Sequence, residues 1–213
     1  MKTKGPSRHT VLEAVVRICS EFSIMPKRRL RALGIEALSI ADIQGDIAEL
    51  GCYWGGSAML LATLAPQKLV HAFDSLTGLD NLGPEDKLRN RPGERGHIVG
   101  DFALPLKEQF RVRGRLRSYG IHFHSGPFCR SKWALASTQF SFAHFDGDTY
   151  RSAVEFLEFF FPRLTIGGKL MFDDFQWPAT PGVAKAVRQL VSRPDARSFQ
   201  PTRYQLVIEK LLL

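Results

Sequence analysis

Three cysteines, Cys19, Cys52 and Cys129, are all that this chain of 213 residues contains. Their number is odd and no two share a Cys-x-x-Cys spacing. A disulfide framework and a thiolate zinc site are therefore both unexpected, and a reducing cytoplasm is the expected setting. No apolar run approaches the length needed to cross a bilayer. The start of the chain carries Lys2 and Lys4 with no apolar segment behind them, so no secretory leader is expected. Internal repeats and low-complexity tracts are also missing, which leaves out solenoids and fibres. Acidic residues are scarce: 21 Asp and Glu stand against 29 Lys and Arg, for a net charge of +8. The first forty residues hold +5 of that excess. Such a segment attracts nucleic acid, an anionic membrane or an acidic substrate, but it also describes a solvated helix face beside a basic start.

What is present is an ordinary globular composition, 44% hydrophobic and 23% charged, in a length that fits one sizeable core. Residues 9–21 and 26–38 read as two short helices, with Leu12, Val15, Val16 and Cys19 at helical spacing and Pro26 opening the second. Residues 1–44 thus form an N-terminal helical segment, a cap or dimer contact. Residues 45–213 form the main domain. There, strands are expected at 46–51, 68–74, 121–125, 140–146 and 169–174. Helices are expected at 56–64, 105–116, 152–161 (closed by Pro162) and 181–191. A polar loop covers 75–101, long enough to be functional. Segments 198–200 and 204–210 form a terminal hairpin. Alternating strands and helices give parallel βαβ units with ligands at the carboxyl ends of the strands. The expected fold is a three-layer α/β sandwich, mostly parallel and Rossmann-like, with a closing antiparallel hairpin.

Two constellations carry chemistry. The first is Glu49-Leu50-Gly51-Cys52-Tyr53-Trp54-Gly55-Gly56-Ser57, where a strand stops at glycine and a helix starts. Asp74 ends the next strand, where a carboxylate can accept both ribose hydroxyls of an adenosine. A dinucleotide fingerprint needs a second glycine where Tyr53 stands, because the backbone must approach a pyrophosphate there. S-adenosylmethionine has no phosphate and needs an acid near its ammonium, a place Glu49 or its surrounding backbone can fill. An ordinary βα turn with a chance acid is the alternative.

The second constellation is acidic. Asp146-Gly147-Asp148 ends one strand and Asp173-Asp174 ends another, which brings four carboxylates to one sheet edge. Such a cluster is costly without a cation or a bound proton. Oxygen ligands with no Cys or His favour magnesium, calcium or manganese. Helix capping, with Asp148 ahead of Ser152, explains at most part of it.

With both constellations in place, the chain resembles the macrocin/mycinamicin-type O-methyltransferases of antibiotic biosynthesis. The matching stretches are GDIAELGCYWGGSAMLL from Gly45, HAFDSLTGL from His71, FDGDTYRSAVEFLEFFFPRLTIGGKLMFDDF from Phe145 and VAKAVRQLV from Val183. The resemblance implies a class I methyltransferase fold, S-adenosylmethionine and Mg2+ (or another divalent cation), a small-molecule hydroxyl acceptor such as a deoxysugar, and a homodimer. It makes Asp146, Asp173 and Asp174 the metal ligands and Asp148 the general base. Asp74 holds the ribose, Glu49 and Gly51 line the methionine end, and Ser125 lies near the adenine. Tyr53, Gly55, Ser57 and Ser75 complete the cofactor contacts. The chain departs from the family in having only about forty residues ahead of its first strand. It also departs in the Phe175-Gln176-Trp177-Pro178 run after the acid pair, where a tyrosine-led loop is expected.

Rival readings keep their own signatures. An RNA methyltransferase acting on exocyclic amines carries an Asn/Asp-Pro-Pro-aromatic motif where this chain has Asp-Gly-Asp-Thr-Tyr, and no cysteine sits where cytosine-C5 chemistry needs one. A cofactor-binding partner without catalysis would not need all four acids. A hydroxylase of the cephalosporin-modifying branch is more remote. His144 reads as a hydrogen-bonded structural histidine, and Trp54 and Trp177 as ligand covers or plain packing. Phe156, Phe159, Phe160 and Phe161 read as core or a dimer face.

Overall fold

Among the described residues, seven strands form one sheet, in the order β3 (His122–Ser125), β2 (Val70–Asp74), β1 (Asp46–Leu50), β4 (Phe140–Phe145), β5 (Leu164–Phe172), β7 (Gln205–Lys210), β6 (Ala196–Thr202). The computed structural model of the chain describes residues 7–88 and 96–211. Lys2, Lys4 and part of the long loop expected at 75–101 lie outside those residues. β1, β2, β3, β4 and β5 run parallel. β7 pairs antiparallel with β5 and with β6, as the terminal hairpin requires. The chain winds from β1 toward β3 on one side and from β4 toward β5 on the other. The crevice between β1 and β4 is thus the switch point where open α/β sheets bind ligands.

Helices cover both faces. α1 (Arg8–Cys19), α2 (Lys27–Ser39), α3 (Gly56–Leu64) and α4 (Leu106–Ser118) share one apolar layer with Ile47, Phe142 and Met171. α5 (Phe128–Ser131), α6 (Tyr150–Arg163) and α7 (Pro181–Val191) share the other with Ala48, Phe145 and Phe172. Consecutive strand residues point to opposite faces, so Ile47 and Ala48 serve different layers. α3 is buried nearly all round and has little polar surface, as its run of Ala, Met and Leu dictates. The four phenylalanines of α6 are all buried within the chain itself. Phe160 packs against Phe140 at 4.9 Å and Phe156 at 4.7 Å between ring centres.

Some boundaries differ from expectation for physical reasons. α6 begins at Tyr150 because Thr149, not Asp148, caps it: the Thr149 hydroxyl accepts from the Ser152 amide. Pro162 lies inside the last turn rather than closing the helix. Side chains take the carbonyls there, with Arg163 donating to the Phe159 oxygen and Lys210 to the Pro162 and Leu164 oxygens. β5 starts five residues early, at Leu164, because its pairing with β4 jumps register around Gly167-Gly168. The stretch 128–135, with no element expected, forms α5 and a 3-10 turn. No helix among the described residues is long and apolar enough to cross a membrane.

Candidate functional site

The carboxyl ends of β1, β2, β4 and β5 open into a cavity of about 710 Å3. Its floor is set by one close approach. Gly51 follows β1 with φ +90°, and a side-chain carbon there would run into the Asp146 carbonyl at the end of β4. The glycine makes room for another strand rather than for a ligand, and so locks the first acid of the cluster beside the loop after β1. Gly56 serves similarly: a Cβ would strike the carbonyls of Cys19 and Phe22. The stretch between α1 and α2 therefore lies over the start of α3, and residues 22–26 form part of the cavity wall.

Asp74 stands at the end of β2, two strands from Asp146. The Tyr53 amide donates to its Oδ2 at 2.8 Å and the Leu76 amide to its Oδ1 at 2.7 Å. Each oxygen keeps a lone pair for a ligand. Burial raises the Asp74 pKa above the usual carboxylate value, although the two amides work against that shift. Tyr53 takes a left-handed backbone with φ 46° to present its amide.

Opposite lie the acids. Oxygens of Asp146, Asp148 and Asp174 come within 4.8 Å of one another. Enclosure by the cavity walls, then the charges of Asp173, Asp174 and Asp148, push the Asp146 pKa well above the ordinary range. Asp148 is likewise pushed well above it, by enclosure first and Asp174 next. Asp173 rises to about 6, through burial and Asp174, with Arg29 opposing. Asp148 and Asp174 both hold left-handed backbones, φ 59° and 55°, which cost about 1 kcal/mol each outside glycine. Asn81 fixes the start of α6 beside them, donating to the Ser152 hydroxyl and accepting from Thr149.

Asp173 does not join the group of three. Its Oδ2 accepts from Arg29 at 3.0 Å, while its Oδ1 is buried without a partner. Arg29 also reaches Asp174 Oδ1 at 2.5 Å. This arginine had no role in the sequence reading. The basic run Lys27-Arg28-Arg29 in a chain with four clustered acids is the one sequence signal that could have found it.

The other expected site residues divide. Gly51, Tyr53, Ser57, Asp74 and Ser75 line the cavity with Asp146, Asp148, Asp173 and Asp174. Glu49 does not: it is fully buried below the floor, 2.8 Å from His144 Nδ1, which is itself fully buried. Side chains alternate along β1, so Glu49 points into the layer beneath α1–α4 while the cavity opens beyond the strand end. Gly55 also stays off the wall, because it serves as the left-handed cap of α3. Ser125 is turned outward on edge strand β3, where its hydroxyl accepts from Arg113 at 2.9 Å, and the next residue, Gly126, reaches the wall instead. Trp54 and Trp177 both line the cavity, as do His97, Phe102 and Phe128. Cys52 is buried, and burial pushes its thiol pKa well up.

The donor set suits a hard cation. Among the described residues, three carboxylates converge with no Cys or His in their group, and a fourth has a buried unsatisfied oxygen.

Comparisons with known proteins bear on the whole arrangement. A model of the macrocin O-methyltransferase (TylF) family matches residues 18–195. An 8-demethyl-8-(2,3-dimethoxy-alpha-L-rhamnosyl)-tetracenomycin-C 4'-O-methyltransferase of Streptomyces olivaceus is 26% identical over 151 residues, or 66% of this chain. The chain matches 57% of that relative's length. Among solved structures, the calicheamicin methyltransferase CalS11 superposes with a TM-score of 0.74 at 18% identity, covering 97% of this chain and 94% of that one. The O-methyltransferase NovP gives 0.73 at 17% identity, covering 97% and 100%. Identities that low speak for the fold, which is the Rossmann-like class I methyltransferase sandwich.

Proposed function

Because the chain belongs to the macrocin O-methyltransferase family, we propose that it moves a methyl group from S-adenosylmethionine to a hydroxyl of a sugar-bearing secondary metabolite, assisted by a divalent cation. The observation that carries this reading is the meeting of Asp146, Asp148 and Asp174 within 4.8 Å, in the same cavity as Asp74. A nucleoside hydroxyl pair and a hard cation are the two ligands those groups fit.

Asp74 accepts the ribose hydroxyls with the lone pairs left over from Tyr53 and Leu76. Asp146 and Asp174 would hold the cation, with Asp173 beside them as a further carboxylate. A divalent ion bound there would supply Lewis acidity, lowering the pKa of an acceptor hydroxyl. Asp148 takes the proton of that hydroxyl, its carboxyl standing within 4.8 Å of the Asp146 and Asp174 oxygens. Residues 22–26, Tyr53, Phe102 and Trp177 form walls that would align the two reactants, from which much of the acceleration would follow. The sugar acceptor is supported by the rhamnosyl substrate in the name of the Streptomyces olivaceus relative.

The test supplies S-adenosylmethionine labelled in its methyl group, magnesium and a panel of deoxysugar glycosides. Label recovered as a sugar methyl ether supports the reading. Label on nitrogen or carbon, or on RNA, overturns it.

A further inference from the structure

Arg29 projects from the first turn of α2 onto the Asp173–Asp174 side of the acid cluster, with only 7% of its surface exposed. Nη1 contacts both Asp173 and Asp174. The guanidinium carbon lies 5.3 Å from the ring centres of both Trp177 and Tyr204. Its carbonyl accepts from Gln205 Nε2 at 3.2 Å. One side chain is thus held by the acid pair, the loop after β5 and the turn of the β6–β7 hairpin.

A buried arginine is tolerable only when acids repay its desolvation, and clustered acids are tolerable only beside positive charge. Arg29 supplies one such charge where a divalent ion would supply two. The two cations want the same oxygens. Asp174 belongs both to the Arg29 pair and to the group formed with Asp146 and Asp148. Asp173 is engaged on one oxygen by Arg29, and its other, buried and partnerless, is available to an ion.

We propose that Arg29 is the resident counter-cation of this centre and that it exchanges with the divalent ion, holding Asp173 and Asp174 in the ion's absence and yielding Asp174 when the ion arrives. The inference rests on the metal-dependent reading above. Its consequence reaches beyond the acids. Residues 22–26 lead directly into α2 and line the cavity, so the exchange loosens a tether on the wall and shifts the guanidinium relative to the face of Trp177.

The test titrates Mg2+ and Mn2+ alone into the full chain by calorimetry and follows tryptophan emission in parallel. Arg29→Met keeps the packing of the stem and removes the charge. Because a like charge a few Å away opposes the ion, this variant is expected to bind metal about 10-fold tighter or more. Metal is expected to change the emission of the wild type, a change that disappears in Trp177→Phe and shrinks in Arg29→Met. Should Arg29→Met fail to fold without metal, Arg29→Lys retains a charge but loses the two-acid grip and is expected to bind metal tighter than wild type by a smaller factor. Metal affinity that is unchanged or weaker in whichever variant folds overturns the exchange and leaves Arg29 as a positioning residue for Asp174. That result is distinct from failure of the metal reading, in which the wild type itself shows no metal binding sensitive to Asp146→Asn, and the exchange falls with it.

Discussion

Gly51 and Asp146 touch across the switch point of the sheet so closely that no side chain fits between them. The contact couples the loop after β1 to the first acid of the carboxylate cluster. Gly51→Ala must therefore move one or the other. With the left-handed φ of +90° added to the overlap, the substitution is expected to cost roughly 2–4 kcal/mol. Urea denaturation measures that loss, and calorimetry of the surviving fold is expected to show weakened metal and cofactor binding together.

Asp146 lies among like charges with no basic partner of its own among the described residues. Asp146→Asn is expected to raise the melting temperature of the metal-free protein by relieving that repulsion. Mg2+ is expected to stabilise the wild type and not this variant. Thermal melts with chelator and with Mg2+ separate the two effects.

The pH dependence of metal-free stability follows in sign. Asp173 at about 6, with Asp146 and Asp148 also raised, favours the protonated forms in the fold. Their stabilising contribution is complete below the ordinary carboxylate value near ~4 and is lost as pH rises through about 6 and beyond. His71 and His124 act oppositely. Burial lowers both, His124 to about 4, so their contribution is present above the ordinary imidazole value and is lost as pH falls. Comparing wild type with Asp146→Asn across pH isolates the acids. The gap between their melting temperatures is expected to widen as pH rises, and Mg2+ is expected to narrow it.

Glu49 and His144 form a closed pair beneath the cavity. His144→Leu leaves the Glu49 carboxyl fully buried with neither oxygen partnered, at an expected cost of roughly 3–5 kcal/mol. Adding Glu49→Leu is expected to recover much of it, as a double-mutant cycle in urea reads directly.

The fold was legible because its period switches are clean. DIAEL and VHAFD read as buried strands, GSAMLLATL as a buried helix, and Pro181 marks the start of α7 where expected. Asp74 and the four acids were legible because each stands at or just beyond a strand end, where topology alone brings them together. Contacts made between distant segments were not. Glu49 reads as an acid near the methionine end, but strand alternation turns it toward His144, ninety-five residues away. Ser125 ends its strand as expected, yet an edge position leaves it to Arg113. Arg29 belongs to the helical segment before the first strand, and its ion pairs at 144 and 145 residues' separation follow only once α2 is laid over α3.

Calorimetry of S-adenosylmethionine binding, with and without Mg2+ and with Asp146→Ala alongside, tests the central claim most directly. The account predicts micromolar cofactor binding in both proteins and a separate metal-binding heat present in the wild type and absent from the variant. Cofactor binding with no metal site in the wild type, or no cofactor binding at all, would contradict it.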